Sequence, residues 1–334
     1  MNDRKTAILK QLELGEITAD QALAMLNQVP ENTPPPKTDH NQRHTEEHTA
    51  NPSWIDGLAN WVENVTGEVI DSVRDWDFDI SDILDSGHKR NEFFESSLLD
   101  QGIKSLTIVG KNARVEVHGY DGNTVKIECK INARYHNANI YLHEENGHIE
   151  LVFEQKQMRS VAVECYVPHV LVKELIIENK NSKIVASNLN IGSADIRTTN
   201  GQIKIKNIRG NVANLTTTNS SIKVEEIDIN HLRLKTTNAG LKFKENFFAE
   251  NAWTAERVIE ATTTNSGVRF KIDSEVNLYI NATTRNGRFV VDHEHMHYNQ
   301  DSKNHIECSS SGYDHARKKL RLEVSTTNAS VKVL

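Results

Sequence analysis

Thr198-Thr199-Asn200-Gly201, Thr217-Thr218-Asn219-Ser220 and Thr236-Thr237-Asn238-Ala239 stand 19 residues apart in a chain of 334 residues. The phrase returns as Thr263-Thr264-Asn265-Ser266 and Thr326-Thr327-Asn328-Ala329, with Thr284-Arg285-Asn286-Gly287 as a variant. Self-similarity at a fixed period near that length marks a repeat architecture, in which each unit buries its apolar face against its neighbours.

Positions counted from each asparagine repeat one pattern. Four before it stand Ile196, Leu215, Leu234, Ala261, Ala282 and Val324, and three after it Ile203, Ile222, Leu241, Val268, Phe289 and Val331. Both flanks alternate apolar and polar residues, so each unit reads as a strand, a sharp corner and a second strand with one apolar face. Seven residues separate the two inward positions, an odd number, so the corner must reset the alternation. Asn beside Gly, Ser or Ala suits such a corner because Asn and Gly tolerate left-handed backbone angles. Parity points the threonine two before each asparagine inward. Stacked inward Thr and Asn are then expected to hydrogen-bond from coil to coil. An outward Thr array of the ice-binding kind is at odds with that parity. The fold class is therefore mainly β: a C-terminal β-solenoid, β-helix-like repeat domain behind a small N-terminal α-helical hairpin module.

Working outward, strand-and-turn patterning covers 96–334, with turn signals at Tyr120-Asp121-Gly122-Asn123 and Asn146-Gly147. Asn251–Val258 and the stretch between Val291 and Leu320 read as insertions into the repeat. Residues 53–95 read as an amphipathic Trp-rich helical segment. Trp54, Leu58, Trp61, Val65, Val69, Val73 and Trp76 form its apolar stripe at helical spacing. The opposite face carries Asp56, Glu63, Glu68, Asp71 and Asp75 against Arg74 alone, whereas a membrane-surface helix is usually basic there. The stripe is expected to pack on the β-domain or a second copy, or to dock a membrane-protein partner. Residues 30–52, with Pro34-Pro35-Pro36 and several histidines, read as a linker. Residues 1–29 read as a helical hairpin with Ile8, Leu9 and Leu12 on one helix. Ala22, Leu23, Leu26 and Val29 lie on the other, which Thr18 and Gln21 open as a capping box.

The net charge of −7 gives no general attraction for nucleic acid or an anionic membrane, so any such partner needs a local patch. Cys129, Cys165 and Cys308 lie far apart in alternating apolar runs, which predicts buried free thiols in a reducing compartment. The N-terminus lacks an apolar signal region, and no stretch approaches the roughly 20 apolar residues of a membrane span. The expected location is cytoplasmic or membrane-peripheral, with the cell surface by a non-classical route as the alternative.

Function is sought on the outward columns. Four after each asparagine stand Lys204, Lys223, Lys242, Arg269, Val290 and Lys332, and Lys206, Lys244 and Lys271 lie two further on. In a solenoid these cations stack at about 4.8 Å. One reading is protection against edge-to-edge pairing, with Glu225 and Glu245 as relief. The other is a basic strip for an anionic polymer or lipid headgroup, such as teichoic acid or phospholipid. Few aromatics interleave with the cations, so nucleic acid is not expected. His293, His295 and His297 alternate on a strand beside Asp292 and Glu294 and resemble a metal site; the plainer reading is a solvated loop, since the repeat is interrupted there. His40, His44 and His48 lie in the linker, where a shared face would require a helix. No GxSxG, HExxH, GxxxxGK[ST] or helix-opening GxGxxG is present, so neither an enzyme nor a cofactor is expected. A solenoid glycan hydrolase or lyase would require an outward carboxylate cluster.

Ile8-Leu9, Gly15-Glu16-Ile17-Thr18 and Ala22-Leu23-Ala24-Met25-Leu26 resemble the SHOCT-like N-terminal module of bacterial envelope-stress proteins. The Thr-Thr-Asn-Gly repeat resembles the adhesin-type β-domain found behind that module. Together they resemble the YvlB/LiaX group of Firmicutes over most of the chain except the linker. The resemblance implies a non-catalytic scaffold or sensor in the response to cell-envelope stress and antimicrobial peptides. It also implies protein–protein contacts, through self-association or with a phage-shock-type membrane protein, and exposure at the cell surface in some members. Beside it stands the adhesin-like alternative, a module binding anionic glycans or lipid headgroups through the basic strip.

Overall fold

The computed structural model describes residues 88–96, 102–134, 139–153, 158–244 and 256–334. The hairpin at 1–29, the linker at 30–52 and the tryptophan stripe at 54–76 lie outside them, as do His40, His44, His48 and Glu245. The described residues are mainly β. Strand β1 (His88–Ser96) falls within the segment read as helical. Arg90, Glu92 and Phe94 are half-buried and Ser96 buried at a period of two, which is strand periodicity and overrides the helical reading there.

Seven strands follow before the regular repeat: β2 (Ile103–Val109), β3 (Ala113–Tyr120), β4 (Val125–Ala133), β5 (Ile140–Glu145), β6 (His148–Phe153), β7 (Met158–Pro168) and β8 (Leu171–Glu178). Next come three strands of 14 residues, β9 (Ile184–Arg197), β10 (Ile203–Thr216) and β11 (Ile222–Lys235). Shorter pieces then carry the pattern: β12 (Leu241–Lys244), β13 (Arg257–Thr263), β14 (Val268–Lys271), β15 (Asn277–Thr284) and β16 (Phe289–Val291). The last are β17 (Met296–Asp301), β18 (His305–Ser310), β19 (Lys319–Thr326) and β20 (Val331–Val333).

Each asparagine corner joins a strand of one parallel stack to a strand of another. Before the corners the spatial order is β6–β2–β8–β9–β10–β11–β13–β19–β15. After them it is β7–β3–β9–β10–β11–β12–β14–β20–β16. Strands β9, β10 and β11 belong to both because each runs from one corner to the next. The 19-residue repeat is in register, with Ile203 opposite Ile222 and Thr216 opposite Lys235. A solenoid read in chain order would place β15 on β13. Instead β19 and β20, the end of the chain, lie between β13 and β15 and between β14 and β16. Near the other end, β2 and β3 likewise lie inside β6 and β7. Coils with the same Ile/Val/Leu columns offer interchangeable faces, so sequence order does not dictate stacking order.

The ends are not coils at all. β5 caps β6, and β4 and β1 cap β7, all antiparallel. The expected insertion after Val291 contains the β17–β18 hairpin, whose β18 runs antiparallel along β15. Asn146-Gly147, with φ of 50° and 85°, makes the two-residue β5–β6 turn that its sequence predicts.

The corner threonines are buried as parity requires, Thr217, Thr236 and Thr263 each at 2% exposure. Their hydroxyls donate to backbone rather than to one another along most of the column. Thr217 reaches Gly201 O at 3.1 Å and Thr236 reaches Ser220 O at 3.1 Å. The asparagines form a separate, exposed ladder. Asn181 donates to Asn112, Asn200 to Asn181, Asn219 to Asn200 and Asn238 to Asn219, at 2.6–2.8 Å. Asn265 to Asn238, Asn328 to Asn265 and Asn286 to Asn328 complete it at 2.8–2.9 Å. None of these asparagines has a left-handed φ, contrary to the expectation from residue type; the amide ladder accounts for the choice of Asn. Left-handed angles occur instead at Asn188, Asn207 and Glu226 (57°, 51° and 52°), a second break that repeats every 19 residues and lies between Lys206 and Ile208 in β10.

Candidate binding site

Register places the expected cations side by side. Lys204, Lys223, Lys242, Arg269 and Lys332 occupy five consecutive positions across β10, β11, β12, β14 and β20, and Val290 of β16 ends the row. Lys332 therefore precedes Val290 in space although it follows it in sequence. The alternation that buries Ile203 and Ile205 turns Lys204 outward, and the same holds in every coil. The second row reads Lys206, Glu225, Lys244 and Lys271, with an acid among the cations.

Compensation is uneven along the row. Lys204 Nζ lies 3.8 Å from Glu225, and Lys206 Nζ lies 3.8 Å from Glu226. Lys223, Lys242, Arg269 and Lys332 have no ion-pair partner among the described residues. Neighbouring Lys183 registers the field. Burial lowers its ammonium pKa, and Arg114, Lys204 and Lys223 push it the same way against the opposing pull of Glu116.

Beside the cations runs a column two residues nearer the corner. Backbone hydrogen bonds order it as Gln202, Ser221, Gly240, Gly267, Ser330 and Arg288. Its four central members are Ser or Gly, and over Gly240, Gly267 and Ser330 the column leaves an open groove of about 260 Å³ walled by Lys242, Arg269 and Lys332. The exposed asparagine ladder runs along the corner on the other side of this column. Such a surface has cations, hydroxyls and amides for an anion, and no aromatic face in these columns for a base to stack on.

The histidine trio does not converge. His293 Nδ1 faces Glu294 O at 3.4 Å, His297 Nε2 bonds Ser311 Oγ at 2.7 Å, and His295 takes a left-handed φ of 55°. Among the described residues no three His, Cys, Asp or Glu side chains come together to hold a metal. The strand alternation breaks at His295, so the expected common face does not form. The three cysteines are buried free thiols as expected. Burial is the leading cause that pushes Cys129 up to about 12 and Cys308 up to about 11.

A polar cluster on β3 and β9 escapes sequence reasoning. Arg114 Nε bonds Glu116 at 2.6 Å, Glu116 lies 3.5 Å from His118 Nε2, and His118 Nδ1 shares a 2.7 Å hydrogen bond with Ser187 Oγ. Burial alone would raise the Glu116 carboxyl, but the His118 and Arg114 interactions outweigh it and hold it below the ordinary carboxylate value. Arg114, Glu116 and His118 alternate on what strand periodicity makes the outward face. Only the structure reveals that Glu116 and His118 are buried there, at 2% and 6% exposure. The cluster satisfies buried polar groups and ties adjacent strands together.

Residues 103–332 match the family model described as Toastrack DUF4097. No curated protein matches the chain. Among solved structures, a "putative cell adhesion protein" from Clostridium sporogenes is similar with a TM-score of 0.36 and 9% identity, over 74% of this chain and 99% of that one. A "putative adhesin" from Bacteroides fragilis is similar with a TM-score of 0.35 and 6% identity, over 75% and 98% of the two chains. A "putative lipid binding protein" from Parabacteroides distasonis has a TM-score of 0.23 and 9% identity, over 75% and 98%.

Proposed function

The chain belongs to the Toastrack DUF4097 family, and we propose that its β-domain is a non-enzymatic module that binds an anionic component of the bacterial cell envelope. One observation carries this reading: five coils in a row present Lys204, Lys223, Lys242, Arg269 and Lys332 on one face, and four of the five have no ion-pair partner among the described residues. Like charges held side by side on adjacent strands are destabilising. A bound polyanion removes that cost. Edge protection does not require the arrangement, because all five cations lie on strands paired on both sides rather than on an edge. The proposed setting is the envelope-stress response, with the protein peripheral to the membrane and its N-terminal residues supplying contacts to a partner. The stripe Trp54, Leu58, Trp61, Val65, Val69, Val73 and Trp76 is the proposed docking element.

Charge reversal tests the reading. The full chain carrying Lys204→Glu, Lys223→Glu and Lys242→Glu should lose binding to teichoic acid and to phosphatidylglycerol vesicles while keeping its circular dichroism spectrum. Binding unchanged from the parent chain would make the strip purely structural.

A further inference from the structure

The groove beside the cations carries more than a general affinity for anions. Resting on the reading above, we infer that it is a linear site for a single extended polymer bearing regularly spaced phosphate groups, lying along the stack and perpendicular to the strands. Successive cations sit one strand apart, so the five from Lys204 to Lys332 span about 19 Å at the usual strand spacing. One phosphate headgroup covers two of them at most. A chain of linked phosphates covers all five, and each further contact is intramolecular once the first has formed.

The groove floor supports a polymer rather than a flat membrane. Ser221, Gly240, Gly267 and Ser330 follow one another across four coils without a long side chain of their own, and Gln202, in the coil of Lys204, closes the near end by laying its amide on Ser221 Oγ at 2.9 Å. A Cβ built on Gly240 would stand 3.2 Å from Gly267 O, and one on Gly267 would stand 3.1 Å from Ser330 O. A bulky side chain at either position projects into the channel. Cations also stand at the two ends of this column, Lys183 before Gln202 and Arg288 after Ser330. The serine hydroxyls donate to phosphate oxygens, and the Lys and Arg heads supply the charge.

Polyphosphates of graded length, from phosphate through tripolyphosphate to long chains, serve as the probe with the intact protein. Affinity should rise steeply with length and level off once the five cations are spanned. For the long chain, log affinity should fall with log salt at a slope of about −3 to −4, as expected for five neutralised phosphates on a single strand. Lys242→Gln and Arg269→Gln should each lower that slope by roughly one. Gly267→Leu keeps the charge and should cost at least tenfold in affinity for the long chain. A thermal melt separates that loss from misfolding, and the two Gln variants keep the test open if the Leu variant does not fold. Affinity independent of length, with phosphatidylglycerol vesicles bound as tightly as long polyphosphate, would overturn the linear site and leave the anion-binding reading standing. Failure of every anion to bind would end both.

Discussion

Asn286 donates its side-chain amide to Asn328 Oδ1 at 2.9 Å across 42 residues of chain, and Asn328 in turn donates to Asn265. The last corner of the chain is therefore clamped between two earlier ones. Strands β13 and β15 never touch as ladder partners; β19 lies between them. Until β19 and β20 arrive, the coil of β15 and β16 has no place on the stack.

Deletion of 319–334 follows as the most drastic test of this arrangement. It removes Leu320, Leu322, Val324, Val331 and Val333, all at 3% exposure or less. At about 1.5–3 kcal/mol each, their burial is comparable to the entire stability of an ordinary domain, about 5–15 kcal/mol. The truncated chain should lose its cooperative thermal transition by circular dichroism. A sharp melt near the parent temperature would mean that β13 and β15 can pair directly.

The two ladders at the corner should differ in worth. Thr236→Val leaves the Ser220 carbonyl without its 3.1 Å donor beside a buried methyl, and should cost about 1–2 kcal/mol in urea unfolding. Asn219→Ala breaks two amide bonds, to Asn200 and from Asn238, yet all three side chains are exposed and water replaces the partners. Its cost should be smaller, about 0.5–1 kcal/mol. The reverse ranking would show that the exposed ladder, not the threonine column, holds the corners.

Much of the corner was legible in the sequence, and its limits are physical. Parity placed Thr198, Thr217 and Thr236 inside and Lys204, Lys223 and Lys242 outside, because a strand's period of two survives from coil to coil. Stacking order was not legible: Lys332 and Val290 exchange places because each coil offers its neighbour the same apolar columns. The second break was missed as well. Residues 188, 207 and 226 are Asn, Asn and Glu, and the Glu hides a backbone requirement that two asparagines announce. The groove could have been found from the spacing, since Ser221, Gly240, Gly267 and Ser330 all stand two after a repeat asparagine.

Glu226 is the misfit of that second break. A non-glycine residue at φ 52° is strained unless its side chain is Asn or Asp, which bond locally and tolerate this region. Asn207 Nδ2 already donates to Asn188 Oδ1 at 2.7 Å, so Glu226→Asn extends that ladder by one step. The substitution gives up a partly exposed 3.8 Å pair with Lys206, which is worth little. Stability should rise by about 0.5–1 kcal/mol in urea unfolding, and a net loss would show that the ion pair outweighs the strain.

Acid should unfold the domain partly through Glu116. Its carboxyl is held below the ordinary value of 4.5, with burial opposed and outweighed by His118 and Arg114. A depressed pKa in the folded state gives stability that is present above the ordinary value and disappears as pH falls through the folded one. Glu116→Gln should therefore lower stability at neutral pH and flatten its decline below pH 4.5. Parallel acid limbs for the two proteins would assign the acid sensitivity elsewhere.

The thiols offer a map of local opening. Burial is the first cause that raises all three, to about 12 at Cys129, to about 11 at Cys308 and higher still at Cys165, so little thiolate exists at neutral pH. A disulfide reagent should leave the folded chain unlabelled on mixing and modify three thiols once denaturant is added. Slow labelling of the native protein should then follow the order in which strands open. Cys308 lies on β18, in the terminal hairpin that caps β15, whereas Cys165 lies on β7, which is paired with β3 on one side and β4 on the other. Capping elements open at lower free energy than strands held deeper in the stack. Cys308 should react first and Cys165 last by peptide mass spectrometry. The opposite order would mean that the β3–β7 end of the stack, and not its terminal hairpin, is the first part of the domain to open.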